Sequence, residues 1–371
     1  MENKQIQKHS SDGSVVLYGV PKVHYGAFGV TPLPITMKAA ANFMGMELEY
    51  EDAIVYCGAA FRITWNETCW DGGNVGDILA FDEPTKVFRL ALESLGCEYN
   101  LIERTQTTKK SDFADFIKSK IDIGIPVMAR GIIGPPEMGI VAGYRDNGDT
   151  LLGWNVFQEY QDVAKNVSFD ESGYYITGHW WENPDTCALM SFGEVKNEGF
   201  TVKTIVENAI EVMTPRRHGD YAKAGYAYDA WKKSILNEGE FSKNMISPLL
   251  VERLMCQGDA MDCIADGRYN AQKFFSKLAE REPSQPLYGQ IANQFAAVSK
   301  SVHKMFETLG GWERGEAQMK AFATPETRQK LGILIDECKA SDEKALALLI
   351  KLTGELATTG KLIHQRKGLS R

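Results

Sequence analysis

Apolar positions change their rhythm near residue 200. Before it, short apolar runs rich in β-branched and aromatic residues are broken by glycine; after it, apolar residues recur at helical spacing with few glycines. The pattern predicts an N-terminal α+β region followed by an all-helical one. In the first region, Ser14–Tyr18 reads as an opening strand. Pro34 opens a helix over 34–44 that Gly45 ends, Pro84 opens another over 84–96, and Ser111 caps a third that stops near Gly124. Strands are expected over 126–131, 138–144 and 149–153, with Asp146-Asn147-Gly148 turning between the last two because Asn-Gly tolerates positive φ. A second hairpin is expected to pair 173–176 with 187–192. Beyond residue 200, helices are expected over 202–213, 221–236, 247–264, 269–278 and 287–308, then from Pro325 and from Ser341. Residues 361–371 read as a basic, frayed tail. No internal repeat is evident.

Length and charge narrow the classes. At 371 residues the chain calls for two domains, and 44% hydrophobic with 24% charged residues is ordinary for a globular protein. A net charge of −8 and a pI near 5.5 argue against a nucleic-acid partner. No apolar run is long enough to span a bilayer, and the polar start is not a signal peptide, so no membrane association and a cytoplasmic location are expected. The seven cysteines are scattered without a CxxC pair, and Cys256 and Cys263 fall on one helix face. With six equally dispersed histidines, no metal site and no cofactor are expected. Oligomeric state is left open, a homodimer included.

Candidate chemistry concentrates in the first 200 residues. Cys57, flanked by Gly58 and two alanines, leaves room for a ligand, although a small buried residue on a helix explains it as well. Cys69 lies in the loop 66–74 with Trp70, Asp71 and two glycines, a ligand-facing or merely structural segment. Glu137 follows two stiffening prolines and has apolar neighbours, so it is expected to be ion-paired or raised in pKa; Arg62 is a candidate partner. His24 and Tyr25, His179, and the tryptophans Trp65, Trp70, Trp154, Trp180 and Trp181 either line a pocket or fill a core. In the helical half, 216–220 (Arg-Arg-His-Gly-Asp) offers an anion site at a helix start. Asp259, Asp262 and Asp266 share a helix face, either for a metal or for an ion pair with Arg268. Gly131–Gly134 is no phosphate loop, because Pro135 and Pro136 remove the amides it would need.

Two stretches carry a family resemblance. Residues 20–45 (VPKVHYGAFGVTPLPITMKAAANFMG) resemble the opening of cysteine-peptidase-like domains related to bacteriocin leader peptidases, with Pro34 and Gly45 at the pattern's proline and glycine. Glu137, 140–142, Gly143-Tyr144 and Asn155 fit the second half of that pattern, a strand entered by histidine and followed by a strand ending in Asp or Asn. Residues 58–65 (GAAFRITW), 131–137 (GIIGPPE), 151–155 (LLGWN) and the helical half are similar to bacterial leader-peptidase-like proteins, themselves similar to the N-terminal domain of the butirosin-pathway acyltransferase. The resemblance implies a papain-like α+β domain over 1–198 and an α-helical domain over 199–371.

The departures from that pattern bear on function. Pro32 stands at the frame position of the nucleophilic cysteine, Tyr25 at that of the oxyanion glutamine and Glu137 at that of the histidine; only Asn155 keeps its role. The expectation is a catalytically degenerate protein that binds a small molecule or peptide in its cleft through Glu137, Arg62 and Asn155, with Tyr25, Trp65, Trp70 and Trp154 as further contacts. The alternative is an acyl- or amide-transferring enzyme with Cys57 or Cys69 as thiol and His24 or Glu137 as base.

Overall fold

The apolar run MGIVAGYR forms the strand Met138–Arg145, in a computed structural model that describes residues 5–9, 13–26, 29–241, 245 and 247–356. All but the last of its eight residues are buried, so both of its faces are covered. It runs antiparallel to Val127–Arg130 and Thr150–Trp154, and Ser14–Tyr18 pairs with its far end at Tyr144 and Gly143. Among the described residues the sheet has nine strands, all antiparallel. Its main path runs Cys97–Glu103, Ala188–Val195, Val127–Arg130, Met138–Arg145, Thr150–Trp154, Tyr175–Thr177 and Ser168–Phe169, while Ser14–Tyr18 carries Gln5–His9 on its other side. Asp146, Asn147 and Gly148 turn the central pair at φ values of 52°, 56° and 103°, as the Asn-Gly signal predicts.

The chain divides into two compact units. The first takes its described residues from Met1–Ala53 and Ala91–Gly199, the second from Ile54–Leu90 and Phe200–Ile363. They are not the contiguous halves 1–198 and 199–371, because the segment 54–90 belongs with the helices. In the first unit the helix Pro32–Phe43 packs on Val127–Arg130 and Met138–Arg145, and Thr36 Oγ1 donates to Met138 O at 3.2 Å. Ten of its twelve residues are buried, which suits its run of small and apolar side chains.

The second unit is built from Val202–Met213, Gly225–Leu236, Ser247–Arg281, Pro286–Leu309, Glu316–Ala323 and Pro325–Glu355. A three-stranded antiparallel sheet, Arg216–His218, Tyr221–Lys223 and Thr64–Asn66, joins the segment 54–90 to them. Trp65 and Trp231 stack in its core at 5.9 Å, among Met261, Val302, Phe306 and Ile335. Among the described residues, no helix is long and apolar enough to cross a membrane.

Several expected elements are corrected. Tyr175–Thr177 pairs with Thr150–Trp154 and Ser168–Phe169, while Ala188–Val195 lies between Cys97–Glu103 and Val127–Arg130, so the hairpin of 173–176 with 187–192 does not form. The helix expected over 221–236 begins only at Gly225, because Tyr221–Lys223 is drawn into the small sheet and Ala224 takes a φ of 54°. The helices of 247–264 and 269–278 are one helix, Ser247–Arg281. Gly267 does not break it: a Cβ there would lie 2.5 Å from Ala60 O, so the glycine admits a neighbouring backbone. The two C-terminal helices are also one, since Leu331, Ile335, Cys338, Asp342, Ala345, Leu349 and Leu352 form a single buried stripe across Ser341. The tail 361–371 lies outside the described residues.

Within the second unit, Arg268 and Asp342 form a buried ion pair with Nη2–Oδ2 at 2.6 Å. Asp342→Ala leaves a buried guanidinium uncompensated, and about 3–5 kcal/mol of stability should be lost. Gly267→Ala should cost about 1–3 kcal/mol by pressing on the Ala60 carbonyl. Urea denaturation followed by tryptophan fluorescence reads both; wild-type midpoints in either variant would contradict these assignments.

Candidate functional site

Two places in the molecule gather chemistry, one in each unit. In the first unit they meet at the start of the strand Met138–Arg145. The Thr36–Met138 hydrogen bond brings in the first turns of the helix Pro32–Phe43. Asn155 follows the end of the neighbouring strand, with Nδ2 lying 2.8 Å from where a Cβ on Gly139 would be. Glu137, half-buried, immediately precedes the strand, and its carbonyl accepts from Gly131 N at 3.1 Å. The turn before it is pinned by Asn183 Nδ2, which donates to Gly131 O and Gly134 O at 2.7 and 2.9 Å.

Asn155 is fully buried. Its Oδ1 accepts from Phe157 N at 2.8 Å, its backbone N–H donates to Gln158 Oε1 at 3.0 Å, and its Nδ2 finds no acceptor among the described residues. The helix offers few free amides, because Pro32 and Pro34 fill its first turn. Tyr25 packs edge-on against Phe157 at 6.2 Å, and His24 is exposed. Trp154 is committed to structure: its Nε1 donates to Val20 O at 2.8 Å and its ring meets Tyr174 edge-on. The structure thus brings Glu137 and Asn155 to one strand end, whereas Cys57, Arg62, Trp65 and Trp70 belong to the second unit.

Cys57 has no exposed surface, and burial pushes its thiol up to about 12. That environment opposes the thiolate an attacking cysteine needs. Arg62 is 4% exposed and serves as a clamp on the chain: Nη1 donates to Ala59 O at 2.8 Å, while Nε and Nη2 donate to Val75 O at 3.1 and 2.9 Å. Trp65 is a core residue whose Nε1 donates to Ser234 Oγ at 2.9 Å.

The clamp shapes the loop that follows. Asn66 Oδ1 accepts from Thr68 N at 2.9 Å, from Thr68 Oγ1 at 2.8 Å and from Cys69 N at 3.2 Å, while Asn74 Oδ1 accepts from Asn66 N at 2.8 Å. Asp71 accepts from Tyr221 OH, Asn66 Nδ2 and Gly73 N. Between this loop and the end of the helix Gly225–Leu236 opens a pocket of about 210 Å³, bordered by Asn66–Trp70, Ala230, Lys233, Ser234, Asn237 and Glu240. Another cavity, beside Arg268 and Asp342, measures about 20 Å³ and holds no more than a water.

The pocket's carboxylates are already engaged. Glu67 accepts from Arg217 Nε at 2.7 Å and Nη2 at 3.2 Å, and these bonds hold its carboxyl below the usual carboxylate range, helped by the nearby charge of Lys233. Glu240 pairs with Arg253 at 2.5 Å and also accepts from Trp70 Nε1 at 3.2 Å. Trp70 packs edge-on against Trp65, Phe241 and Phe322. Lys233 forms no ion pair among the described residues, and Cys69 is exposed.

Sequence reasoning picked out the loop but missed the opposite wall. Lys233, Asn237 and Glu240 carry no local signal, since polar residues near a helix end are common. At the anion site expected over 216–220, Arg216–His218 is a strand and 219–220 a turn, with Arg216 paired to Asp82 and Arg217 to Glu67. Asp259 and Asp262 both pair with Arg314, whereas Arg268 pairs with Asp342. No protein-family model matches this chain, and no curated protein matches it.

Alkylation should separate the cysteines. Cys57, Cys256, Cys263 and Cys338 are buried, with thiols raised by that burial, so native iodoacetamide treatment should label Cys69 first and Cys187, half-buried, more slowly. Intact-mass and peptide mapping reads this directly. Early labelling of Cys57 would contradict its placement.

Proposed function

We propose that this chain is a catalytically degenerate protein of the cysteine-peptidase-like kind, and that it binds a small molecule or short peptide without covalent chemistry. The likeness to that fold is supported by three frame positions, the first turns of a proline-opened helix, Glu137 and Asn155, which converge at one strand end. Papain-type chemistry has no nucleophile in this frame, because Pro32 stands where the cysteine would be.

One observation carries the binding reading: the 210 Å³ pocket under the Asn66–Trp70 loop, with an aromatic wall and convergent polar groups. Its lining belongs wholly to the second unit, so the ligand sits at this loop and not at the strand end of Glu137 and Asn155. Cys69, at its rim, reports on occupancy.

The test is a competition. Capped dipeptides, small acids, amines and amides are screened for protection of Cys69 from iodoacetamide, with Cys187 as the internal control. Binding should slow Cys69 labelling by about tenfold at saturating ligand and leave Cys187 unchanged. Protection by no compound class, or equal slowing of both cysteines, would count against the pocket.

The exposure of Cys69 toward the same pocket favours one alternative, an acyl- or amide-transferring enzyme with this thiol as nucleophile. Labelling much faster than that of free cysteine, and a stable acyl adduct from an activated ester lost in Cys69→Ala, would put that reading first.

A further inference from the structure

We infer that the pocket under the Asn66–Trp70 loop selects a carboxylate, held by Lys233 and Asn237; this rests on the binding reading above and specifies its ligand. Both carboxylates, Glu67 and Glu240, are already neutralised by Arg217 and Arg253. Ser234 has no donor left, since its hydroxyl accepts from Trp65 Nε1 and gives its one proton to Ala230 O. Thr68 donates to Asn66 Oδ1, and Asn66 Nδ2 donates to Asp71.

Two side-chain nitrogens of the lining make no hydrogen bond among the described residues. One is the ammonium of Lys233, whose charge also acts on Glu67 but which forms no ion pair with it. The other is Nδ2 of Asn237, whose Oδ1 already accepts from Gly239 N at 3.1 Å. Lys233 lies in the last turn of the helix Gly225–Leu236 and Asn237 caps its end, and both border the pocket. A cation beside a neutral amide donor suits an anion with two acceptor oxygens in a plane, which a carboxylate presents.

One effect opposes this. The helix Gly225–Leu236 ends here, and its carbonyl end carries the equivalent of about half a negative charge. Lys233 brings a full positive charge to the same turn, and Asn237 N covers the Ser234 carbonyl at 3.3 Å. The local balance therefore favours an anion. The volume sets the size: about 210 Å³ takes a small acid or the last residue of a peptide, with the Trp70 indole as its apolar wall.

The free acid and the peptide terminus share this chemistry and are separated by the probes. Calorimetric titrations would use N-acetylphenylalanine and its amide, then Ala-Ala-Phe and its C-terminal amide, with the full chain and with Lys233→Gln. Expected is binding of at least one acid with its amide at least tenfold weaker, and a loss of about tenfold in Lys233→Gln. The longer acid binding more tightly would identify a peptide terminus; the shorter one, a free small acid. Equal binding of acid and amide, unchanged affinity in Lys233→Gln, or equal competition by inorganic phosphate would overturn carboxylate selection. Failure of every probe, while Cys69 remains protected by other compounds in the alkylation screen, would overturn this inference alone. No protection by any compound would remove the binding reading beneath it. Lys233 is exposed, so the variant should keep the wild-type melting temperature.

Discussion

The guanidinium of Arg268 is the interaction on which the second unit depends. It is 1% exposed and reaches four acceptors: both oxygens of Asp342, and the carbonyls of Ala60 and Arg62. Tyr228 OH also donates to Asp342 at 2.7 Å. Removing such a charge from water costs several kcal/mol, and only full satisfaction of its donors offsets that. The fork therefore joins the helix Ser247–Arg281, the helix Pro325–Glu355 and the segment that follows Cys57. Gly267 lets that segment come close enough to be reached.

The consequences run outward along the chain. With the Ala60 and Arg62 carbonyls held, the Arg62 side chain is placed to clamp Ala59 O and Val75 O. That clamp closes the base of the loop carrying Asn66, Cys69 and Trp70. Trp70 then packs on the aromatic core through Trp65 and Phe322 while its Nε1 reaches Glu240. The pocket is a by-product of satisfying buried donors, and its remaining chemistry is what those demands left unspent: Lys233, Asn237 and the thiol of Cys69.

Local signals made much of the fold legible. Ser14–Tyr18 and Val202–Met213 form as their patterns require, the Asp-Asn-Gly turn takes positive φ, and the three central strands lie within a residue or two of their expected places. The expected α+β region with its antiparallel strands is present, as is the helical C-terminal region. Legibility failed where a long-range partner outvoted a local cue. Breaks were expected between residues 264 and 269 and before Ser341, yet continuous buried stripes run through both. Tyr221–Lys223 continued a helical pattern, but the edge of Thr64–Asn66 claimed it as a strand.

The site divides in the same way. Residue identities alone determined that positions 32 and 137 carry a proline and a glutamate, which supply neither a thiol nor an imidazole. They also marked the loop 66–74, because tryptophan, aspartate and paired glycines beside a cysteine are unusual together. Tertiary structure alone decided that Cys57 is sealed and Cys69 open, that Arg62 clamps backbone carbonyls, and that Lys233 comes to border Trp70 across about 160 residues of chain. The physical reason is that a charge or thiol takes its character from its solvation and partners, and those come from parts of the chain that no local pattern connects.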